Sequence, residues 1–176
     1  MLIDVILVAL VLLVAIIVIT GISHIRTSTP YGGTSRAAMD VMFSLADLRP
    51  GETFVDIGAG DGRLLFEAKR RCPECRARGY EVALGVWLVG RVRLLLSRTD
   101  ARLLLRDALK ADLRDADVIA LYMAPEMMAK LQPVLDRQLR PGTRVIASVF
   151  RFHDREPVSE REIPGRPGKK VRLYRW

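Results

Sequence analysis

The run FVDIGAGDGR, residues 54–63, sets Asp56 just ahead of three glycines, Gly58, Gly60 and Gly62, directly after a short apolar segment. Without a Cβ, Gly58 and Gly60 let the backbone turn sharply and come close to a ligand. Gly62 is expected to let the following helix pack near the strand. The spacing is G-x-G-x-G, not the G-x-G-x-x-G of dinucleotide binders. A carboxylate at that point suits a cation better than a pyrophosphate. S-adenosylmethionine, with an ammonium and a sulfonium, meets that requirement. Glu81 in GYEV, 21 positions after Gly60, is placed to accept from ribose hydroxyls, and Asp107 in RDAL to accept from an adenine amino group. Asp61 and Arg63 are further candidates on this side; as charges at a helix start they also have an ordinary structural reading. Trp87 suits either an adenine face or the core.

These residues need a frame. TSRAAMDVMFSLADL sets Ala38, Val41, Met42 and Leu45 on one helical face, with Thr34 or Ser35 able to cap. TFVDI reads as a strand and RLLFEAKRR as a helix. ARGYEV is a second strand and GVWLVGRVRLLLSR a second helix; ARLLLR and ADVIALY are further strands. PEMMAKLQPVLDRQL is a helix with Pro at its first turn, and RPGTRVIASVF a turn and fifth strand. Strands alternating with helices predict a mostly parallel sheet covered on both faces, an α/β, Rossmann-like three-layer sandwich. VSEREI and KKVRLYRW complete it as a C-terminal hairpin across a Pro/Gly turn.

Residues 1–22, MLIDVILVALVLLVAIIVITGI, contain Asp4 as their only charge. About 20 apolar helical residues span the hydrocarbon layer, so one N-terminal transmembrane helix is expected. Basic residues follow it at Arg26 and Arg36, which predicts a single-pass membrane protein with its body facing the cytoplasm. Residues 23–50 read as a linker and capping helix, and 51–176 as the main domain. The chain carries +8 net charge, and its last sixteen residues hold six basic groups against one acid. That excess fits an anionic membrane surface. No aromatic-interleaved basic motif or recognition helix is present, so no nucleic-acid partner is expected. Cys72 and Cys75 form a C-x-x-C pair where a helix ends, read as a redox-neutral turn. It is half a zinc site, with neither His24 nor His153 at ligand spacing, so no metal is assigned; a zinc shared between two copies stays open.

DIGAGDGR, GYE and RDAL together resemble the motif series of class I S-adenosylmethionine-dependent methyltransferases. TPYGGTSRAAMDVM, GYEVALGVWLV and the MAPEMMAKLQPVLDRQLRPGTRVIASVF run narrow the resemblance to membrane-anchored protein-lysine methyltransferases, whose mitochondrial members modify the adenine nucleotide translocase and the ATP synthase c subunit. It covers roughly residues 30–155. It implies S-adenosylmethionine as cofactor and a membrane or membrane-associated protein with a target lysine as partner. YGGT at 31–34 keeps Tyr31 and Thr34 of the family's Tyr-x-Pro-Thr-like element, residues expected to close over the cofactor; a plain linker is their alternative. Tyr122-Met123-Ala124-Pro125-Glu126 stands where amino-directed nucleic-acid methyltransferases carry Asn/Asp-Pro-Pro-Tyr, which argues against a DNA base. Tyr122 is expected to line the acceptor pocket and Glu126 to attract a lysine ammonium; Glu126 also reads as an ordinary first-turn acid. Ser148, Phe150 and Phe152 fall at the end of the fifth strand, where aromatics shape a channel or fill the core. A lipid or small-amine acceptor, or a non-catalytic module keeping the fold, are the rival readings.

Overall fold

Thr53–Ile57, buried at every position, forms β1 near the centre of the sheet in the computed structural model. The structure describes residues 33–176 together with Asp4, Ile6, Leu7 and Val11. After β1 come β2 (Arg76–Glu81), β3 (Arg102–Leu105), β4 (Val118–Leu121), β5 (Arg144–Ser148), β6 (Ser159–Glu162) and β7 (Lys170–Arg175). They form one sheet in the order β3-β2-β1-β4-β5-β7-β6. β1 to β5 are parallel, and β7 runs antiparallel between β5 and β6. Strand order reverses between β1 and β4, which opens a crevice at their C-terminal ends.

Alternation along β1 divides the core in two. Phe54 faces a cluster built from α1 (Arg36–Ala46), α2 (Arg63–Arg71) and α3 (Leu84–Leu96), through residues such as Met42, Leu65 and Leu94. Val55 and Ile57 face the opposite cluster, closed by Met128, Leu131 and Leu135 of α4 (Pro125–Gln138). Helices on both faces give the Rossmann-like three-layer arrangement. Ser35 caps α1 by accepting from Ala38 N–H, and Pro125 opens α4. α4 runs on through Pro133, a residue that costs a helix interior roughly 3 kcal/mol. Burial of Leu131, Val134 and Leu135 around it offsets that cost.

Arg144 ties α1 to the sheet. The residue is only 8% exposed, and its guanidinium donates to the carbonyls of Ala46 and Asp47, both at 2.6 Å, and pairs with Glu52. Those carbonyls sit at the C-terminal end of α1, where acceptors lack intrahelical partners and a cation is favoured.

Two expectations need correction or relocation. The Cys72–Cys75 turn is not redox-neutral: the turn brings the two Cα atoms to 5.4 Å and the sulfurs form a disulfide. No group of three or more metal-ligand side chains occurs among the described residues. The close helix–strand approach assigned to Gly62 belongs elsewhere. Gly62 caps α2 at φ +73°, and an added Cβ there would meet Leu94 at an ordinary 3.6 Å. The tight contacts are at Gly79, whose Cβ would lie 2.5 Å from that of Ala59, and at Gly90 in α3. The basic tail forms the expected hairpin at the sheet edge, where Lys170 and Arg172 pair with Glu160. Among the described residues no helix is long and apolar enough to cross a membrane. The expected anchor at 1–22 and Tyr31 lie outside them, apart from the four N-terminal residues named above.

A Cβ on Gly90 would come within 2.4 Å of Leu103 and about 3 Å of the Gly60–Asp61 backbone. Gly90→Ala gains about 1 kcal/mol of helix propensity, yet overpacking of this kind costs about 1–3 kcal/mol. We expect a net loss of stability, read as a lower urea midpoint at unchanged slope.

Candidate functional site

The crevice at the ends of β1 and β4 is where the glycine run lies. Gly58, Gly60 and Gly62 all take positive φ (75°, 56° and 73°), a conformation that L-residues with a Cβ adopt only under strain. The turn is pinned to β2: Gly58 and Ala59 N–H both donate to Tyr80 O at 3.0 and 2.9 Å. Glu81, one residue on, accepts from Gly60 N–H through one oxygen (2.9 Å) and from Val82 and Ala83 N–H through the other (2.8 and 2.7 Å). Three backbone donors therefore fix this carboxylate between the glycine turn and the start of α3.

Asp56 has no such support. It points to the same face as Phe54, is 3% exposed, and its carboxyl accepts no hydrogen bond from any described residue. Burial, then the nearby charges of Glu81 and Asp61, push its pKa up to about 8. A buried acid without a donor is unfavourable unless a cation or proton satisfies it. This is the feature of the structure that fits the ammonium and sulfonium of S-adenosylmethionine.

Asp61 is placed differently. Arg63 grips it through Nε (2.9 Å) and Nη2 (2.8 Å), and Arg93 of α3 adds Nη1 at 3.1 Å. Burial pushes this carboxyl up, but the Arg63 hydrogen bond and the charges of both arginines outweigh it, so its pKa falls below the usual value. Arg63 also donates to the carbonyl of Thr34 at 3.3 Å and lies so close to Gly33 that a Cβ there would sit 2.3 Å from its Cζ. Thr34, buried, is thus latched to the glycine turn by its backbone, while Ser35 beside it caps α1. Asp107 caps the 3-10 turn Ala108–Lys110 by accepting from Leu109 N–H at 2.9 Å. Arg106 N–H donates to Glu81 O at 2.9 Å, which ties the Asp107 turn to the end of β2. Trp87 is in structural use: its Nε1 donates to Leu103 O at 3.1 Å and its ring packs on the core.

The ends of β4 and β5 supply the other wall. Leu121 pairs with Ile57 and Ala147, so Tyr122 and Met123 leave the sheet beside the glycine turn. A Cβ on Gly58 would touch Met123 Cε at 3.4 Å. Tyr122 stacks on Phe150, ring centroids 6.4 Å apart at 19°. Phe150 is held there by a tight turn: its N–H donates to Ser148 O at 2.9 Å across Val149, a β-branched residue at φ +70°. Such a three-residue turn is strained, and strain of this kind gathers at functional positions. Arg172 steadies it by donating to Val149 O at 3.0 Å. Ser148 and Phe152 are buried, and Phe152 packs edge-on to Tyr174 and Trp176 as core. Glu126 is exposed in the first turn of α4, and His153 is almost fully exposed.

The structure therefore brings Asp56, Gly58, Gly60, Glu81 and Tyr122 around one crevice, with Asp107 tied to its edge. Sequence reasoning missed Arg93, Gly79, Gly90, Met123 and Val149. Only the two glycines carried a signal, as isolated glycines inside a strand and a helix. Arg93 and Val149 act through three-dimensional neighbours far away in the chain.

Comparison with known proteins places this geometry. The model of the ANTKMT methyltransferase domain matches residues 56–159. The adenine nucleotide translocase lysine N-methyltransferase of Mus musculus is 34% identical over 139 residues, 77% of this chain and 59% of that protein. The protein-lysine N-methyltransferase of Saccharolobus islandicus is 24% identical over 82% of this chain and 92% of its own length. The chain thus spans less than two thirds of the mouse relative and nearly all of the archaeal one. Among solved structures, an RNA methyltransferase from Salinibacter ruber in complex with S-adenosyl-L-homocysteine superposes with a TM-score of 0.77 at 27% identity, over 82% of this chain and 93% of its own. The matched segment begins at Asp56, the buried acid, and runs through both walls of the crevice. This chain belongs to the ANTKMT methyltransferase domain family.

Proposed function

We propose that this protein is an S-adenosylmethionine-dependent methyltransferase that N-methylates lysine side chains of a membrane or membrane-associated protein. In this reading residues 1–22 anchor it as a single-pass protein with its catalytic domain facing the cytoplasm. The observation that carries the reading is Asp56, a buried carboxyl without a hydrogen-bond partner among the described residues, in a family of methyltransferases. Relatives named as protein-lysine N-methyltransferases support the acceptor class. The apolar N-terminal run supports the anchor, which raises the local concentration of membrane partners.

The residues divide the work. Asp56 meets the positive charge, Glu81 the ribose hydroxyls and Asp107 the adenine amino group, while Gly58 and Gly60 allow close approach. When bound, S-adenosylmethionine supplies an electrophilic methyl on a sulfonium. The chain's task is to hold a neutral amine in line with it and to keep water out. The Tyr122–Phe150 pair and Met123 give that wall an apolar character, which favours the neutral form of a lysine. Glu126, exposed at the start of α4, attracts the incoming ammonium, and Tyr31 and Thr34 form the lid. The Salinibacter ruber neighbour, named an RNA methyltransferase, favours RNA as the second acceptor reading.

Methyl-labelled S-adenosylmethionine, full-length protein and host membranes test the acceptor. Label in a discrete protein band, released as methyl-lysine and absent with Asp56→Ala, is the expected result. Label in the RNA, lipid or small-molecule fraction overturns the lysine assignment.

Asp56 also predicts a pH dependence. In the free protein its pKa lies near 8, so it is largely protonated at pH 7. A bound cation favours the carboxylate, so binding releases a proton. Affinity should rise with pH, by at most about tenfold per unit, and level off above about pH 8. Calorimetry in buffers of different ionisation enthalpy should show that proton release in the wild type and none in Asp56→Asn. The variant should bind about 10- to 100-fold more weakly near pH 8.

Phe150→Ala removes a stacked pair worth about 0.5–1.5 kcal/mol, so turnover should fall by about tenfold or less. S-adenosylhomocysteine affinity should stay within about twofold, because the pair lines the acceptor wall. An equal loss in both would place Phe150 in the cofactor pocket instead.

A further inference from the structure

α3 breaks the rule for a helix on a protein surface. A helix covered on one side should be polar on the other, yet Leu84–Leu96 reads LGVWLVGRVRLLL. Its inner stripe, Gly90 and Leu94 with Trp87, packs on the sheet. Its outer stripe is Leu88, Val89, Val92, Leu95 and Leu96, the i, i+1, i+4, i+7, i+8 spacing of a second apolar face. Val89 and Val92 are 57% and 55% exposed, and Leu95 and Leu96 are each 77% exposed. Leu104 and Leu105 of the adjoining edge strand β3 are exposed as well. The described apolar residues of the N-terminal segment, Ile6, Leu7 and Val11, are themselves exposed and do not cover this face.

The charge around the patch identifies what covers it. Residues 82–106 contain Arg91, Arg93, Arg98, Arg102 and Arg106 against one acid, Asp100, and Asp100 is held by Lys69 at 2.9 Å. Arg91 and Arg93 border the outer stripe on its two sides, while Arg98, Arg102 and Arg106 are exposed at its end and along β3. A second copy docked by two-fold symmetry would set these arginines against their own equivalents, a like-charge contact. An aliphatic stripe rimmed by arginines matches instead the section of an anionic bilayer, with acyl chains below and phosphates at the level of the rim.

We infer that the outer face of α3, with the exposed edge of β3, lies in the headgroup–acyl boundary of an anionic membrane. The stems of Arg91, Arg98, Arg102 and Arg106 extend along the apolar surface while their guanidinium groups reach the phosphates; Arg93, held by Asp61 at 3.1 Å, contributes its stem only. α3 starts at Leu84, three residues after Glu81, and its Gly90 packs directly on the Gly60–Asp61 backbone. The crevice therefore stands beside the membrane contact. Given the acceptor class proposed above, the reacting lysine lies at headgroup level on its substrate.

The test places an environment-sensitive fluorophore at Leu95→Cys or, as control, at Ala129→Cys on exposed α4, in the full chain with Cys72→Ser and Cys75→Ser. The protein is reconstituted into phosphatidylcholine vesicles with or without phosphatidylglycerol, and quenching by shallow spin-labelled lipid is compared with quenching by iodide. In anionic vesicles the Leu95 label should be quenched by lipid and shielded from iodide, while the Ala129 label shows the reverse. The ratio of docked to undocked protein should fall about fivefold for each of Arg98→Ala and Arg102→Ala. Iodide quenching equal at the two positions overturns the proposal. Shielding of Leu95 together with energy transfer between labels on two copies overturns it in favour of self-association. No step depends on methyl transfer, so failure of the acceptor assignment leaves this result standing.

Discussion

Asp56 lies on the apolar face of a parallel sheet, enclosed by α-helical cover, with two other acids close enough to raise its pKa and no donor among the described residues to lower it. Folding has placed a group there that water would solvate better, and the neighbouring architecture is arranged around that cost. The glycine turn removes side chains from the space in front of the carboxyl. Glu81 is locked by three N–H donors, so it is a fixed rather than an adaptable source of negative potential. Asp61, the third acid, is neutralised by Arg63 and Arg93. The negative potential of the empty site thus rests on Glu81, and Asp56 adds its own charge when a cationic ligand displaces its proton and recovers the desolvation already incurred.

Close backbone contact makes this geometry rigid. Gly79 lets the turn after β1 rest on β2, and Gly90 lets α3 rest on the turn itself. The same helix donates Arg93 to Asp61 and presents an arginine-rimmed apolar stripe outward. One element therefore connects the polar interior of the site with the most hydrophobic part of the exposed surface. Across the crevice, strain at Val149 holds Phe150 against Tyr122. The two walls differ in kind. The β1–β2 wall is charged and locked by backbone hydrogen bonds, and the β4–β5 wall is apolar and shaped by ring stacking.

Much of the frame was legible because its signals are local. TFVDI, RLLFEAKRR and PEMMAKLQPVLDRQL each coincide with an element to within a residue, since apolar runs, caps and proline act over a single turn or strand. The hairpin of β6 and β7 was legible from its Pro/Gly turn. The places of Asp56, Glu81 and Asp107 at the ends of successive strands were legible because parallel topology brings those ends together. Misreadings came where a role depends on a partner distant in sequence. Gly62 was assigned a packing role that belongs to Gly79 and Gly90, whose neighbours Ala59 and Leu103 come from other elements. Cys72 and Cys75 read as a redox-neutral turn because spacing alone does not give their Cα separation.

The amino-acid sequence by itself determined the element order, the alternation that divides the core, the glycine turn and the acids at the strand ends. All follow from periodicity and from backbone freedom at single residues. Only the tertiary structure decided which acid is left without a donor among the described residues, which is consumed by arginines, and which face of α3 they leave uncovered. Those outcomes depend on the assembled sheet. Hydrogen-bond satisfaction and burial are properties of contacts between segments up to about a hundred residues apart, as Arg144 and Ala46 show.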